Sequence, residues 1–200
     1  MMMMAKLKVL QYGDPVLRQV AEPVHKVSSK IQKLIGDMFE TMYAQNGCGL
    51  AAPQVGVSKQ IFVLDCSSET KRYGQMVFIN PKIVRKKGAC LSHEGCLSFP
   101  EVFVDVKRYS EITVRFQDVK GRSQEMTVKL AEHPLLCRAI QHEMDHLNGI
   151  LFVDLAVDQH GADVLLKAKN LPSIDLSKTV VDAALDEAYA LLENPVAVTE

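Results

Sequence analysis

His142, Glu143 and His146 stand in the order His-Glu-x-x-His, a spacing that suits metal chemistry. On a helix, residues four apart lie on one face, so both imidazoles can reach a single ion. Glu143 falls one step round that helix, beside the ion rather than on it. There it can take a proton from a bound water whose pKa the ion lowers toward ~7. An ordinary helix carrying this short pattern by chance is the other reading. Two histidines also leave a hydrolytic site one ligand short, since such sites use three protein ligands and a water. The long metzincin pattern would supply a third histidine where this chain has Phe152, so that reading fails. A carboxylate from downstream, Glu187 or Glu193, would have to come from beyond the Leu171–Pro172 break.

A better candidate lies upstream. The segment SHEGCLSFPEV, 92–102, puts Cys96 in a glycine-containing turn between strands. Its thiolate would complete a three-ligand set suited to a softer divalent ion such as Fe(II), Zn or Co. A small buried thiol is the alternative, and it is the reading for Cys48, Cys66, Cys90 and Cys137. In GCGLAAPQVG, 47–56, glycines and alanines remove bulk and allow an extended ligand to approach the backbone. Gln54 could there donate an amide hydrogen to a developing oxyanion. Tight packing of small residues would explain the same composition.

These residues need elements to position them. Ile31, Leu34, Ile35, Met38, Phe39 and Met42 recur at helical spacing over 30–44, after the capping pair Ser28–Ser29. The runs 61–66, 76–84, 111–118 and 124–130 are β-branched and aromatic and predict antiparallel hairpins, with Asn80–Pro81 interrupting the second. A second helix is predicted from about Glu132 to Leu147, ending at Asn148–Gly149. Two more helical patterns, about 160–169 and 176–193, follow, the latter with an apolar stripe of Val181, Ala184, Leu185, Ala188, Leu191 and Leu192. The order of elements reads as α+β.

The formal charge of −1 gives no overall basic field for nucleic acid. It averages a body, 1–154, with 20 Lys+Arg against 16 Asp+Glu and a tail, 155–200, with 3 against 8. Five cysteines cannot all pair, which fits a reducing compartment. No apolar run approaches the ~18 residues of a membrane span, and no secretory signal opens the chain.

GCGLAAPQ (47–54), EGCLS (94–98) and QHEMDH (141–146), in this order, resemble the three signature motifs of the peptide deformylases, and YGDPVLR (12–18) is similar to that family's N-terminal region. The likeness covers roughly three quarters of the chain and, in EGCLS, looks like the type 1 bacterial and organellar form. It implies antiparallel sheets wrapped around the helix carrying His142 and His146, with an N-terminal helix and a C-terminal helical extension. With the change of character from about Asp158, the chain divides into a catalytic domain, 1–157, and an acidic helical extension, 158–200. The likeness implies a hydrolase that removes the N-formyl group from the N-terminal formylmethionine of nascent polypeptides. Cys96, His142 and His146 would bind the metal, usually Fe(II) in the family, with Zn, Ni or Co as substitutes. Glu143 would be the general base and then the proton donor. The Gln54 side chain and the Leu97 backbone N–H would stabilise the oxyanion, and Gly47, Cys48 and Gly49 would pair with the substrate backbone.

Glu94 would be either a partner for a ligand histidine or a solvated loop carboxylate. His25, His93, His133 and His160 match no ligand position. The family's tail is often basic and associated with the ribosome. This one is acidic and is expected to pack on the body or on a second subunit, so any transient ribosome contact would not run through a basic tail. Neither a membrane nor a specific nucleic acid is expected as a partner. The likeness starts almost at the first residue, so no presequence is expected, and bacterial cytoplasm or an organelle interior would suit the protein.

Overall fold

The computed structural model describes residues 5–69 and 73–193. A helix, α1 (Ser29–Ala44), is capped by the Ser28 hydroxyl accepting from the Ile31 N–H. Seven strands follow: β1 (Gly49–Ala51), β2 (Ile61–Asp65), β3 (Gln75–Lys87), β4 (Cys90–Cys96), β5 (Phe99–Arg108), β6 (Glu111–Gln117) and β7 (Ser123–Lys129). The helix α2 (Pro134–Leu147) comes next, then α3 (Gln159–Ala168) and α4 (Ala183–Glu193). The strands form an antiparallel five-stranded sheet, β1-β2-β3-β6-β7, and a separate two-stranded hairpin, β4-β5.

The apolar run of β2 is buried on both faces, which explains why it does not alternate with polar residues. Ile61 and Val63 share a cluster with Met38 and Met42 of α1. Phe62 and Leu64 share another with Leu136 and Ile140 of α2. The large sheet is therefore filled from one side by α1 and from the other by α2. A third cluster lies behind the hairpin, where Val102, Val104 and Val106 meet Leu151, Phe152, Ala162 and Leu166.

Three expectations need correction. Asn80–Pro81 does not interrupt a strand: β3 runs through it with a register shift between Ile79 and Lys82, and Asn80 takes a left-handed backbone (φ 49°). Its side chain offsets that strain by bonding both the N–H and the carbonyl of Val24. The segment 92–102 is more than a turn between strands, because β4 and β5 cover all of it except Leu97 and Ser98. The helix over 176–193 is also broken: a 3-10 turn, Leu176–Lys178, and an extended link precede α4. Val181 and Leu192 of the supposed stripe face solvent, and Leu185 is the residue that reaches the core. The side chain of Leu191 lies outside the described residues. The tail nonetheless packs on the body. Lys107 binds Asp186 at 2.7 Å, and Tyr109 donates to Asp182 at 2.8 Å.

Candidate metal centre

Helix α2 is positioned at both ends. Pro134 opens it, and the Glu69 carboxylate from a distant loop accepts the free N–H groups of Leu135 (2.7 Å) and Leu136 (3.3 Å). Such a carboxylate satisfies orphan donors and complements the positive end of the helix. Gly149 stops it with φ 69°, where an added Cβ would lie 2.5 Å from the Arg18 carbonyl oxygen. Midway, Gln141 grips the backbone of Tyr109 through both amide atoms, each at 2.9 Å. These ties turn His142 and His146 toward the β4–β5 hairpin and Glu143 toward β1.

Cys96 ends β4 opposite that face. Its Sγ and one ring nitrogen from each of His142 and His146 lie within 4.8 Å of one another, with Sγ 3.3 Å from His146 Nε2. Two neutral-capable imidazoles and a thiol at this separation form a donor set that fits a divalent ion with one position left open. The outer nitrogen of His142, Nδ1, is 2.9 Å from Glu94 Oε2. Glu94 is in turn held by Arg108 through two hydrogen bonds of 2.8 and 2.7 Å, and Arg108 also binds Asp145. Glu94 is thus the histidine partner rather than a solvated loop carboxylate. Burial would raise its pKa, but the Arg108 charge and hydrogen bonds, together with His142, hold it well below the usual carboxylate range. A carboxylate fixed in this way orients the ring and leaves Nε2 for the ion.

Glu143 is buried beside this set, and its Oε2 has no hydrogen-bond partner. Burial pushes its pKa up to about 7, a range suited to passing protons near neutrality. Gly49 of β1 faces it closely, and a Cβ there would fall 2.4 Å from Glu143 Oε1. Gln54 sits in a 3-10 turn, Ala52–Val55, directly after β1. Its Oε1 accepts from the Ala51 N–H at 2.8 Å, which turns Nε2 toward Cys96 Sγ (3.3 Å) and Ser98 Oγ (3.2 Å). Leu97 occupies the turn between β4 and β5, packed against Gly47, where a Cβ would meet Leu97 Cδ1 at 2.8 Å.

The N-terminal segment locks both loops. Leu10 N–H bonds to the Gln54 carbonyl, and Tyr12 N–H bonds to the Ser98 carbonyl. Tyr12 stacks on Phe99 at 4.6 Å, and Arg18 grips Asp154 with two nitrogens. A cavity of about 530 Å³ opens against the site, lined by Gly47, Cys48, Gly49, Gln54, Cys96, Leu97, His142 and Glu143 among others. Every anticipated site residue but one therefore borders a single space, and the exception, His146, completes the ligand set behind it. Arg108, Asp145 and Ser98 were not anticipated. Arg108 lies in the strand that was not foreseen, and Asp145 is an unassigned position inside the histidine motif.

Comparison with known proteins agrees with this geometry. The profile of a family described as Polypeptide deformylase matches residues 6–161. A peptide deformylase of Nitrosococcus oceani is 49% identical over 151 residues, 76% of this chain and 87% of that protein. One from Synechocystis is 48% identical over 149 residues, 74% of this chain and 78% of the relative. Among solved structures, a peptide deformylase from Synechococcus elongatus in complex with actinonin superposes with a TM-score of 0.78. It has 42% identity and covers 83% of this chain and 89% of its own. The enzyme from Legionella pneumophila superposes at 0.75 with 40% identity, covering 83% and 96%.

Proposed function

The chain belongs to the polypeptide deformylase family, metal-dependent hydrolases that remove the formyl group from the N-terminal methionine of new polypeptides, and from that premise we propose a role for each residue of the site. Cys96, His142 and His146 hold the metal, with Glu94 orienting His142. When bound, the ion supplies a Lewis acid and acidifies the attacking water. Fe(II) is the ion in the cell, and Zn(II), Ni(II) or Co(II) can replace it.

Glu143 takes a proton as the water oxygen bonds to the formyl carbon. It then delivers that proton to the methionine nitrogen as the C–N bond breaks, giving formate and a free amine. Negative charge grows on the formyl oxygen in between. Gln54 Nε2 and the Leu97 N–H donate to it, and Gln54 is preorganised by its bond to Ala51. The peptide backbone pairs with Gly47, Cys48 and Gly49. Supporting this, β1 is an edge of the large sheet, and an extended peptide can add to such an edge as a further strand. The methionine side chain enters the cavity between β4 and α2, against Cys48, Ser92, Leu135, Arg138 and Ala139.

The single observation that carries these roles is the convergence of Cys96, His142 and His146 to within 4.8 Å of one another, with the buried Glu143 next in chain to His142. Glu143→Ala should keep the metal and lose activity by orders of magnitude, whereas Cys96→Ser should lose the metal. Formate release from formyl-Met peptides and metal content by elemental analysis check both. Near-normal turnover in Glu143→Ala, or full occupancy in Cys96→Ser, would remove that residue from its role. Cleavage of internal bonds without formate would instead point to a peptidase.

The boundary between catalytic domain and extension is set at 157/158, with Ala162, Leu166 and Ile174 of the extension sharing the hairpin's cluster. Work on nascent chains at the ribosome would not use this acidic tail as an RNA anchor. Cytoplasmic residence is supported by bacterial relatives, and no helix among the described residues is long and apolar enough to cross a membrane.

A further inference from the structure

We propose that Arg138 extends the substrates of this enzyme to formylmethionine whose sulfur has been oxidised to the sulfoxide, its guanidinium donating to the sulfoxide oxygen. This rests on the placement of the methionine side chain proposed above. Arg138 is half-buried and lines the cavity beside Leu135, Ala139 and Cys48. Its Nε donates to the Pro134 carbonyl at 3.0 Å, which lays the head back along α2. Among the described residues, neither terminal nitrogen has a hydrogen-bond partner or a carboxylate to pair with. Arg108, by contrast, is spent on Glu94 and Asp145. Burial pushes the thiols of Cys48 and Cys90 up, and the Arg138 charge pulls against it at both. That charge is therefore felt from the start of β1 and from β4 alike, on either side of the space the methionine enters.

The position suits the sulfur. Arg138 stands four residues before His142, on the same face of α2 and about 6 Å along its axis. The methionine sulfur lies five bonds from the formyl carbon, roughly 6 Å when extended. A substrate with its formyl group at His142 and its side chain against α2 thus carries its sulfur to the level of Arg138. A thioether sulfur is only a weak acceptor and makes little use of this cation. Oxidation adds one oxygen and turns the apolar side chain into a polar one. Against Leu135, Ala139 and Cys48 alone, that oxygen would be taken out of water without a partner, which is costly. A guanidinium with two uncommitted nitrogens supplies the partner, and hydrogen bonds from a charged donor are the strong ones. Arg138 is thus a specificity-determining residue that takes no part in the chemical step.

The test compares formyl-Met and formyl-Met-sulfoxide peptides of otherwise identical sequence, in the metal-loaded enzyme and in Arg138→Leu, with formate release as the readout. The wild-type protein should accept the sulfoxide with kcat/KM within about tenfold of methionine. In Arg138→Leu the ratio of sulfoxide to methionine should fall by about tenfold or more, mostly through KM. Both substrates are read on the same variant, so a general loss of activity cancels, and a merely structural arginine would leave the ratio alone. An unchanged ratio, or a wild-type enzyme that refuses the sulfoxide, overturns the inference. Ala139→Val separates that result from failure of the pocket placement: narrowing the pocket should raise KM for formyl-Met much more than for formyl-Ala. If both rise together, the placement fails and the inference with it. If formyl-Met alone suffers and the Arg138→Leu ratio is still unchanged, the placement stands and only the arginine contact is wrong.

Discussion

In the five-stranded sheet, β2 and β3 are each hydrogen-bonded along both edges, and helices cover the two faces. What this sheet gives the site is backbone: the edge of β1 and the turn that aims Gln54. The β4–β5 hairpin has two strands, a number marginal on its own. It is held by side chains that reach away from it, above all Arg108 to Asp145 and Glu94 to His142. It gives the site Cys96 and Glu94. Away from the β1 edge, the sheet can therefore tolerate change in its side chains without touching the chemistry. In the hairpin, the bonds that hold the fold are the same bonds that orient His142, a proposed metal ligand.

The largest effect that follows is at Arg108. Its side chain is 4% exposed, and it serves two buried or half-buried carboxylates. Arg108→Met leaves both without their cation, and breaking such a buried network costs about 3–5 kcal/mol. Freed from its anchor, Glu94 should hold His142 poorly, weakening metal affinity about 10–100-fold. The matched change in the sheet is Arg115→Met. Arg115 bonds Glu125 across β6 and β7 with 59% of its side chain exposed, so the loss should stay below about 1 kcal/mol with metal affinity unchanged. Urea denaturation and competition with a chelator measure both quantities. Equal losses in the two variants would break the contrast.

The same division explains what could be read in the sequence. The strands of the large sheet are runs such as Ile61–Asp65, whose β-branched and aromatic residues need no partner to be recognised. The hairpin hides. Val102, Val104 and Val106 do alternate with outward Phe103 and Asp105. Glycine and proline at 95 and 100, though, look like loop punctuation. Pro100 fits because it stands near the start of β5, where a missing N–H is tolerated. Cys96, His142 and His146 were legible as chemistry because their types and spacing fit few other purposes. Arg108 was not, since a lone arginine carries no sign of the carboxylates it will meet across 14 and 37 residues of chain. Nor was Asp182, which finds Tyr109 from 73 residues away.

Glycine to alanine at matched positions sharpens the contrast with a smaller effect. At Gly49 in the sheet, the new Cβ would lie 2.4 Å from Glu143 Oε1 and 2.8 Å from Leu64 Cδ2. Both neighbours are buried, so the carboxylate must shift, and a displacement near 1 Å can cost about 100-fold in rate. At Gly95 in the hairpin, the Cβ would meet the Phe103 ring at 2.5 Å. That ring is 54% exposed and free to swing outward, so activity should stay within about twofold. Steady-state kinetics with formyl-Met peptide compares the two. Gly49→Ala with full activity would show that the β1 edge does not crowd Glu143.

The smallest effect concerns the helix that braces the hairpin from outside. Asp182, just before α4, accepts from the Tyr109 hydroxyl and from Lys86 at 3.1 Å. Burial would raise its pKa, but these hydrogen bonds and the Lys86 charge outweigh it and lower it below the ordinary value. A carboxyl lowered on folding adds stability above its unfolded pKa, near 4, and loses it as pH falls through the folded value. Its side chain is 31% exposed, so the contribution is below about 1 kcal/mol. Hydrogen-exchange protection of α4 should accordingly fall as pH is lowered below about 4, while that of β2 and β3 persists. Asp182→Asn should show the weaker protection at every pH, because it cannot gain the charge. If wild-type and variant instead lose α4 together along the same curve, Asp182 is not what holds the tail, and the hairpin's outer support must come from Leu185 and the Lys107–Asp186 pair.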